Sequence, residues 1–333
     1  MGHARSLESD QRLRPSAFIL LPFFLISAFL TLLRKTGKQR SQAIHAHWVL
    51  PNGLVAALVS KLRNLPLVIS LHGSDIYVAK GNPLFRGISR WIFSHACVVT
   101  ACSPELKEEA IRLGAPEDTV LLPWGADPDL FTPKPVNTSN FSAQPGKVTV
   151  SGVGRFVNKK GFHRLIEAFA LVLQEYRDVE LILAGDGPQR ANLINLTVSH
   201  GLNPFISFPG KIPWDQMPNF LANTYIFTLP SIRDEHGNVD GLPTVLLEAM
   251  SCGLAVVASD IGGTNLVISD GVNGLLVPPG DVEVLAHALL RLIKDTDLRL
   301  KLARSARNSV INQFNWNSVA HRLADLINQA AVR

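Results

Sequence analysis

The sequence predicts an α/β protein of two doubly wound domains. Short runs of apolar, β-branched residues alternate with helical segments once before residue 127 and again after residue 147. Buried strands alternating with helices mean a parallel sheet covered by helices. Between the two sets lies a polar stretch carrying Pro128, Pro133, Pro135 and Pro145, which reads as a linker. The chain of 333 residues, 47% of them hydrophobic, is long enough for each half to bury its own core.

In chain order, residues 1–15 are polar and basic without clear structure. Ser16–Leu33 is an apolar run between Arg12, Arg14, Arg34 and Lys35. Its length is at the lower edge for a membrane span. Three readings stand: a helix buried in the first domain, a helix in the membrane interface, and a span. The first two are preferred, because Pro22 would interrupt a straight span and basic residues flank both ends. The first alternating set is then Ala43–Trp48 (strand), Asn52–Arg63 (helix), Leu67–Leu71 (strand), Leu84–Ser94 (helix), Ala96–Ala101 (strand), Pro104–Leu113 (helix) and Val120–Pro123 (strand).

The second set begins with the strand Val148–Val153 and the helix His163–Tyr176. Glu180–Ala184 is a strand, Pro188–His200 a helix, Ile206–Phe208 a strand, Trp214–Ala222 a helix and Ile226–Pro230 a strand. Thr244–Ser251 is a short apolar helix, with Pro243 fitted to its first position and Gly253 to its C-terminal cap. The strands Ala255–Ala258 and Gly274–Val277 and the helices Val282–Lys294, Leu298–Phe314 and Trp316–Ala331 complete the chain. The expected domains are 1–130, a linker 131–147, 148–314, and a C-terminal helix 315–333. Ligands of open parallel sheets bind beyond the carboxyl ends of the strands, so the expected site is the cleft between the domains.

Composition excludes several classes. The net charge of +5 is scattered, which argues against nucleic acid and suits an anionic substrate or a membrane surface. Cys97, Cys102 and Cys252 match neither a zinc site nor a redox pair, and they fit a cytosolic protein. There is no Walker-type phosphate loop and no Gly-x-Ser-x-Gly elbow. Asp127-Pro-Asp129 could chelate a cation, but Asp is common in such turns.

Four features remain as candidate chemistry. Arg155 and Lys160 share one glycine-bounded loop, where two cations can neutralise a diphosphate without metal. Gly187, in Gly185-Asp-Gly187-Pro188, ends a strand where a backbone can approach a ligand closely. His72, in His72-Gly-Ser-Asp75, ends a strand of the first domain. Finally, Asp240 and Glu248 bracket the start of the short helix, whose free N–H groups and partial positive charge suit a phosphate.

Taken in order, these segments resemble the retaining family-four glycosyltransferases of the GT-B fold, the group 1 glycosyltransferases. The segments are His45-Ala-His-Trp48, His72-Gly-Ser-Asp75, Trp124-Gly-Ala-Asp127, Gly154-Arg155 with Lys160-Gly161, and Ala184-Gly-Asp-Gly-Pro188. They continue with Leu229-Pro-Ser231, Asp240 to Met250, Gly262-Gly263, and Asn273-Gly-Leu-Leu-Val-Pro-Pro-Gly-Asp281. The resemblance covers about residues 43–325. It implies two Rossmann-like domains facing a cleft, and a hexosyl transfer from a UDP- or GDP-linked sugar to a glycan or lipid-linked acceptor, with retention of configuration. It further implies no metal or other cofactor, a role in cell-envelope polysaccharide biosynthesis, and a cytoplasmic place, peripheral on the inner face of the membrane.

By the same resemblance Arg155 and Lys160 hold the donor diphosphate, Glu248 the ribose, and the segment Leu242-Pro243-Thr244, through the backbone N–H groups of Leu242 and Thr244, the region of the distal phosphate. Asp240 and His72 lie beside the donor sugar, and Lys211 faces the base. Three departures stand out. The opening strand and glycine-rich turn of the family have no counterpart in residues 1–15, so the first domain is expected to be short. Asp240 stands where the family has Glu, and Asn265-Leu266 where it has Pro-Glu. The alternative reading is a non-catalytic nucleotide-sugar-binding or scaffold protein; an epimerase or phosphorylase of the same fold is a third.

Overall fold

The computed structural model describes residues 7–9, 12–13, 15–133, 147–235 and 237–332. The chain divides into two compact units, Met1–Pro123 with Ala320–Arg333, and Trp124–Val319. Most of the expected linker, residues 134–146, lies outside the described residues.

The first unit opens with β1 (Leu7–Ser9) and β2 (Arg12–Leu13), which pair antiparallel as a small sheet of their own. This corrects the expectation that residues 1–15 lack structure; runs this short carry no periodicity to read. Next come α1 (Pro15–Lys38), β3 (Ile44–His47), α2 (Leu54–Arg63), β4 (Leu67–Ser70), α3 (Ser74–Lys80), α4 (Pro83–Phe93), β5 (Val98–Ala101), α5 (Pro104–Arg112) and β6 (Val120–Leu121). The strands form a parallel sheet in the order β3-β4-β5-β6. Every residue of β4 is buried, which is why it reads as a continuous apolar run. Local chemistry sets the helix starts: Asn82 caps α4 and Ser103 caps α5, each followed by a proline. The helix α3 was not foreseen, because its seven residues are too few for a helical period to show.

The helix α1 is not the buried element that one reading expected. Ile19 and Phe23 are each 71% exposed and Leu30 58%. The helix packs on α2, which covers only one stripe of a segment that is apolar on most sides. Pro22 does not interrupt it, since helical structure runs from Pro15 to Lys38. Proline removes one N–H donor, and the good helix formers around it carry the segment through.

The second unit comprises β7 (Val148–Val153), α6 (Phe162–Glu175), β8 (Val179–Ala184), α7 (Arg190–Ser199), β9 (Ile206–Gly210), α8 (Met217–Ala222) and β10 (Ile226–Leu229). It continues with α9 (Thr244–Ser251), β11 (Ala255–Ser259), α10 (Thr264–Val267), β12 (Leu275–Val277), α11 (Val282–Lys294) and α12 (Thr296–Asn312). The last helix, α13 (Trp316–Val332), starts in this unit and ends in residues grouped with the first. The six-stranded parallel sheet has the order β12-β11-β10-β7-β8-β9. After β9 the chain returns to the other side of β7, so the order reverses between β7 and β10. In open α/β sheets that reversal opens a crevice at the carboxyl ends of the two strands. Behind it Phe156, Phe162, Phe169 and Leu165 are fully or almost fully buried. Each such side chain contributes roughly 1.5–3 kcal/mol by leaving water.

Candidate active site

Two loops meet at the reversal point. One follows β7 and runs from Gly154 to Gly161, ending in a 3-10 turn at Asn158–Lys160. The other follows β10 and leads to α9. Between them the Asp240 carboxylate is held by Lys160, with Nζ 2.7 Å from Oδ2, and by Lys159, with Nζ 3.4 Å from Oδ1. Ser231, just beyond β10, donates its hydroxyl to Oδ2 at 3.3 Å. Burial alone would raise the Asp240 carboxyl, but Lys160 and then Lys159 outweigh it and hold it below the usual carboxylate range. The carboxylate is therefore an anion that its two lysines keep charged.

The rest of the loop is tied to the end of β8. Phe156 N–H donates to the Asp186 carbonyl at 2.9 Å, and Gln189 N–H donates to the Phe156 carbonyl at 3.0 Å. Gly187 makes this possible, because an added Cβ would lie 2.5 Å from the Phe156 carbonyl oxygen. Gly185 N–H in turn donates to the Gly210 carbonyl at 2.8 Å, beside Lys211. Lys211 is exposed, with Nζ 3.8 Å from Asp186 Oδ2. Arg155 is exposed on the same loop as Lys160. Arg155, Lys160, Gly187 and Lys211 thus share one hydrogen-bonded set of loops.

The segment after Asp240 gives the other half of the site. Leu242 is buried and Thr244 exposed, and α9 begins at Thr244 with Pro243 as its N-cap, one position earlier than expected. Proline lacks a side-chain oxygen to cap the first N–H groups; Leu246 N–H bonds the Pro243 carbonyl at 3.1 Å, and no side chain caps the start of the helix. Gly253 closes the helix with φ +71°, the left-handed cap that the sequence indicates. Glu248 lies one turn beyond Thr244. Burial pushes its carboxyl up to about 6, against a hydrogen bond from Thr244.

His72 belongs to the first unit. Its Nε2 lies 2.9 Å from His47 Nδ1, and Trp48 lies against its ring at 4.6 Å between centroids. The turn that carries it is fixed by Asp75, which is buried and accepts N–H bonds from Val49, His72 and Gly73. Burial raises the Asp75 carboxyl, and those backbone bonds act in the opposite direction. Next to this group His45 bonds Ser70 at 2.8 Å, and burial followed by the nearby His47 pushes it down to about 4, so it is neutral at physiological pH. A groove of about 790 Å³ runs beside His45, His47 and Trp48, walled by α1 and α2.

Three of these groups were not singled out from sequence: Lys159, Ser231 and His47. The adjacent lysines and the Ser that ends the apolar run after β10 were the available signals. The Asp127-Pro-Asp129 pair is a turn, in which Asp127 Oδ1 accepts from the N–H groups of Asp129 and Leu130. Among the described residues no group of three or more His, Cys, Asp or Glu side chains is arranged to hold a metal.

The group 1 glycosyl transferase family model matches residues 137–309, and the glycosyltransferase family 4 model matches residues 5–130. The chain is 31% identical over 302 residues to a putative teichuronic acid biosynthesis glycosyltransferase, TuaC, of Bacillus subtilis, covering 87% of this chain and 72% of that one. It is 27% identical over 266 residues to a GDP-mannose-dependent phosphatidylinositol monomannoside mannosyltransferase of Mycobacterium tuberculosis, covering 78% and 69%. Among solved structures it is similar to Anabaena Alr3699/HepE in complex with UDP-glucose, with TM-score 0.74, 26% identity, and 90% and 82% of the two chains covered. The complex of that protein with UDP gives TM-score 0.77 over 95% of this chain and 84% of that one, at 24% identity. With its two parallel sheets and a family model over half its length, the chain belongs to the group 1 glycosyl transferases, family-four enzymes of the GT-B fold.

Proposed function

We propose that the second unit binds a nucleotide diphosphate sugar at the reversal point between β7 and β10, and that the protein transfers the sugar with retention of configuration. Arg155 and Lys160 take the diphosphate. The N–H groups at Leu242–Thr244 take the distal phosphate, Glu248 the ribose, and Lys211 faces the base. Gly187 lets the loop backbone close on the donor. Asp240 lies beside the sugar, and His72 is the proposed sugar-binding residue of the first unit. The observation that carries this reading is the meeting of Lys160 and Asp240, at 2.7 Å, just ahead of the helix α9 with its uncapped N-terminus.

Negative charge grows on the leaving diphosphate as the glycosidic bond breaks. Fixed cations and a helix N-terminus stabilise that charge without reorganising. This is our basis for proposing that transfer needs no metal. Relatives that by name use GDP-mannose, and a neighbour crystallised with UDP-glucose, support a GDP- or UDP-linked donor. Names that speak of teichuronic acid, amylovoran and phosphatidylinositol monomannoside support a cell-envelope glycan or lipid-linked acceptor. They also favour an enzyme over a non-catalytic module. The groove beside His47 is the acceptor side in this reading.

The test is release of nucleoside diphosphate from a panel of UDP- and GDP-linked sugars, with cell-envelope lipids and glycans as acceptors. Turnover with one donor, undiminished by EDTA, is expected. No turnover or binding with any donor would overturn the enzymatic reading, and activity lost to EDTA and restored by magnesium would overturn metal independence.

A further inference from the structure

Lys160 already gives one of its ammonium donors to Asp240, with Nζ 2.7 Å from Oδ2, so a diphosphate taken by Lys160 would share that cation with the carboxylate. Asp240 has a second cation, Lys159, 3.4 Å from its other oxygen. Both lysine side chains and the carboxylate are largely shielded from water, with 16%, 12% and 13% exposure for Lys159, Lys160 and Asp240. Charges so placed are weakly screened, and an unbalanced one is costly.

We infer that Lys159 is a positioning residue for the sugar end of the donor site: it holds the Asp240 carboxylate when Lys160 turns to the diphosphate. This rests on the proposed donor site. Each phosphate of a nucleotide sugar carries one negative charge, and Asp240 adds another. Without Lys159, a Lys160 drawn toward the phosphates leaves the carboxylate beside the sugar with no cation to fix its position.

The backbone places Lys159 for this role independently of its side chain. Ile232 N–H donates to the Lys159 carbonyl at 2.9 Å, which joins the loop after β7 to the loop after β10. Replacing the side chain leaves that bond in place.

The charged groups bearing on the Asp240 carboxylate are Lys160 and Lys159, both from the loop after β7. Ser231, from the loop after β10, contributes a neutral hydroxyl. The loop at Gly262, packed against the Asp240 backbone, presents glycine. Glu248 serves diphosphate and nucleotide sugar alike, so the acid limb that reports on Asp240 is that of the ratio of nucleotide-sugar to diphosphate affinity: it should fall at low pH as Asp240 takes up a proton, and losing one of the two cations should move that fall to higher pH.

The experiment uses the full chain and compares Lys159→Met, Lys159→Arg and Lys160→Met with the unaltered protein. Affinity for UDP, UDP-glucose, GDP and GDP-mannose is measured as a function of pH, so that the ratio of nucleotide-sugar to diphosphate affinity is followed across the acid range. Lys159→Met is expected to bind the free diphosphate within about twofold of the unaltered protein, yet to lose roughly tenfold for the nucleotide sugar, the scale of a charged hydrogen bond. Its acid limb should move to higher pH, and Lys159→Arg should restore both. Lys160→Met should lose both ligands. Retained diphosphate binding by Lys159→Met also shows that the variant is folded. Equal loss of both ligands, or no loss of either, or an unmoved acid limb, overturns the inference while leaving the donor site standing. Failure of the unaltered protein to bind any of these ligands overturns both.

Discussion

At the residue scale the site shifts two carboxylates in opposite directions. Asp240 is buried between lysines and stays charged, whereas Glu248 is buried with only a hydroxyl from Thr244 and is pushed up to about 6. A ribose held by Glu248 needs an ionised acceptor, so nucleotide affinity should fall as pH drops through about 6. The sign for stability is the reverse. The folded protein holds this proton over a range where an unfolded Glu, with its ordinary value of 4.5, has released it. Stability from this group is therefore lost as pH rises through that window. Glu248→Gln is expected to raise the melting temperature at pH 7.5, by the equivalent of ~1 kcal/mol, while weakening nucleotide binding by roughly 1.5–3 kcal/mol. A thermal melt and a titration with UDP or GDP check both halves. A variant that loses stability and keeps its affinity would assign Glu248 to the scaffold.

At the element scale, loops rather than strands hold the site together, and Gly262 shows how tightly. Its φ is +69°, and an ideal Cβ would lie 2.1 Å from the Asp240 carbonyl oxygen. Gly262→Ala must strain its own backbone and push the Asp240 segment away. We expect a loss of ~2 kcal/mol in stability and a fall in turnover at least as large as that of a neutral surface substitution elsewhere on the same unit. Unchanged melting and turnover would show that the loop yields freely. The same scale explains what the sequence disclosed. The strands β7, β8 and β10 and the helices α9 and α11 were legible because each is a continuous apolar run or a periodic face with its own cap. The helices α3 and α10 were not, since seven and four residues carry no period. Arg155, Lys160 and Asp240 could be named from spacing and resemblance. That Lys159 shares Asp240 could not, because it depends on how two loops fold back at the reversal of strand order.

At the scale of the molecule, the first unit presents an unusual flank. The helix α1 packs on α2, and α2 on α4. Ile19, Leu20, Phe23, Ile26 and Leu30 of α1, Leu58 and Leu62 of α2, and Leu84 of α4 are exposed. The charged side chains on these three helices are Arg34, Lys35, Lys38, Lys61, Arg63, Arg86 and Arg90, with no acid among them. By length and composition α1 could cross a membrane, with mean hydropathy 1.7 over Ile19–Lys38. Its contact with α2 argues for lying flat instead, because a crossing helix would leave that neighbour behind. An apolar face bordered by cations suits the boundary between headgroups and acyl chains of an anionic bilayer. We expect the protein to sediment with vesicles of anionic phospholipid and poorly with neutral ones. Salt should weaken that attachment and alkaline carbonate should release it, as expected of a helix lying in the interface beside cationic side chains. Leu20→Asp with Phe23→Asp should abolish sedimentation while nucleotide binding in the other unit is unchanged. A protein that stays with the membrane until detergent is added would make α1 a true span, and one that ignores vesicles of both kinds would leave this flank to some other partner.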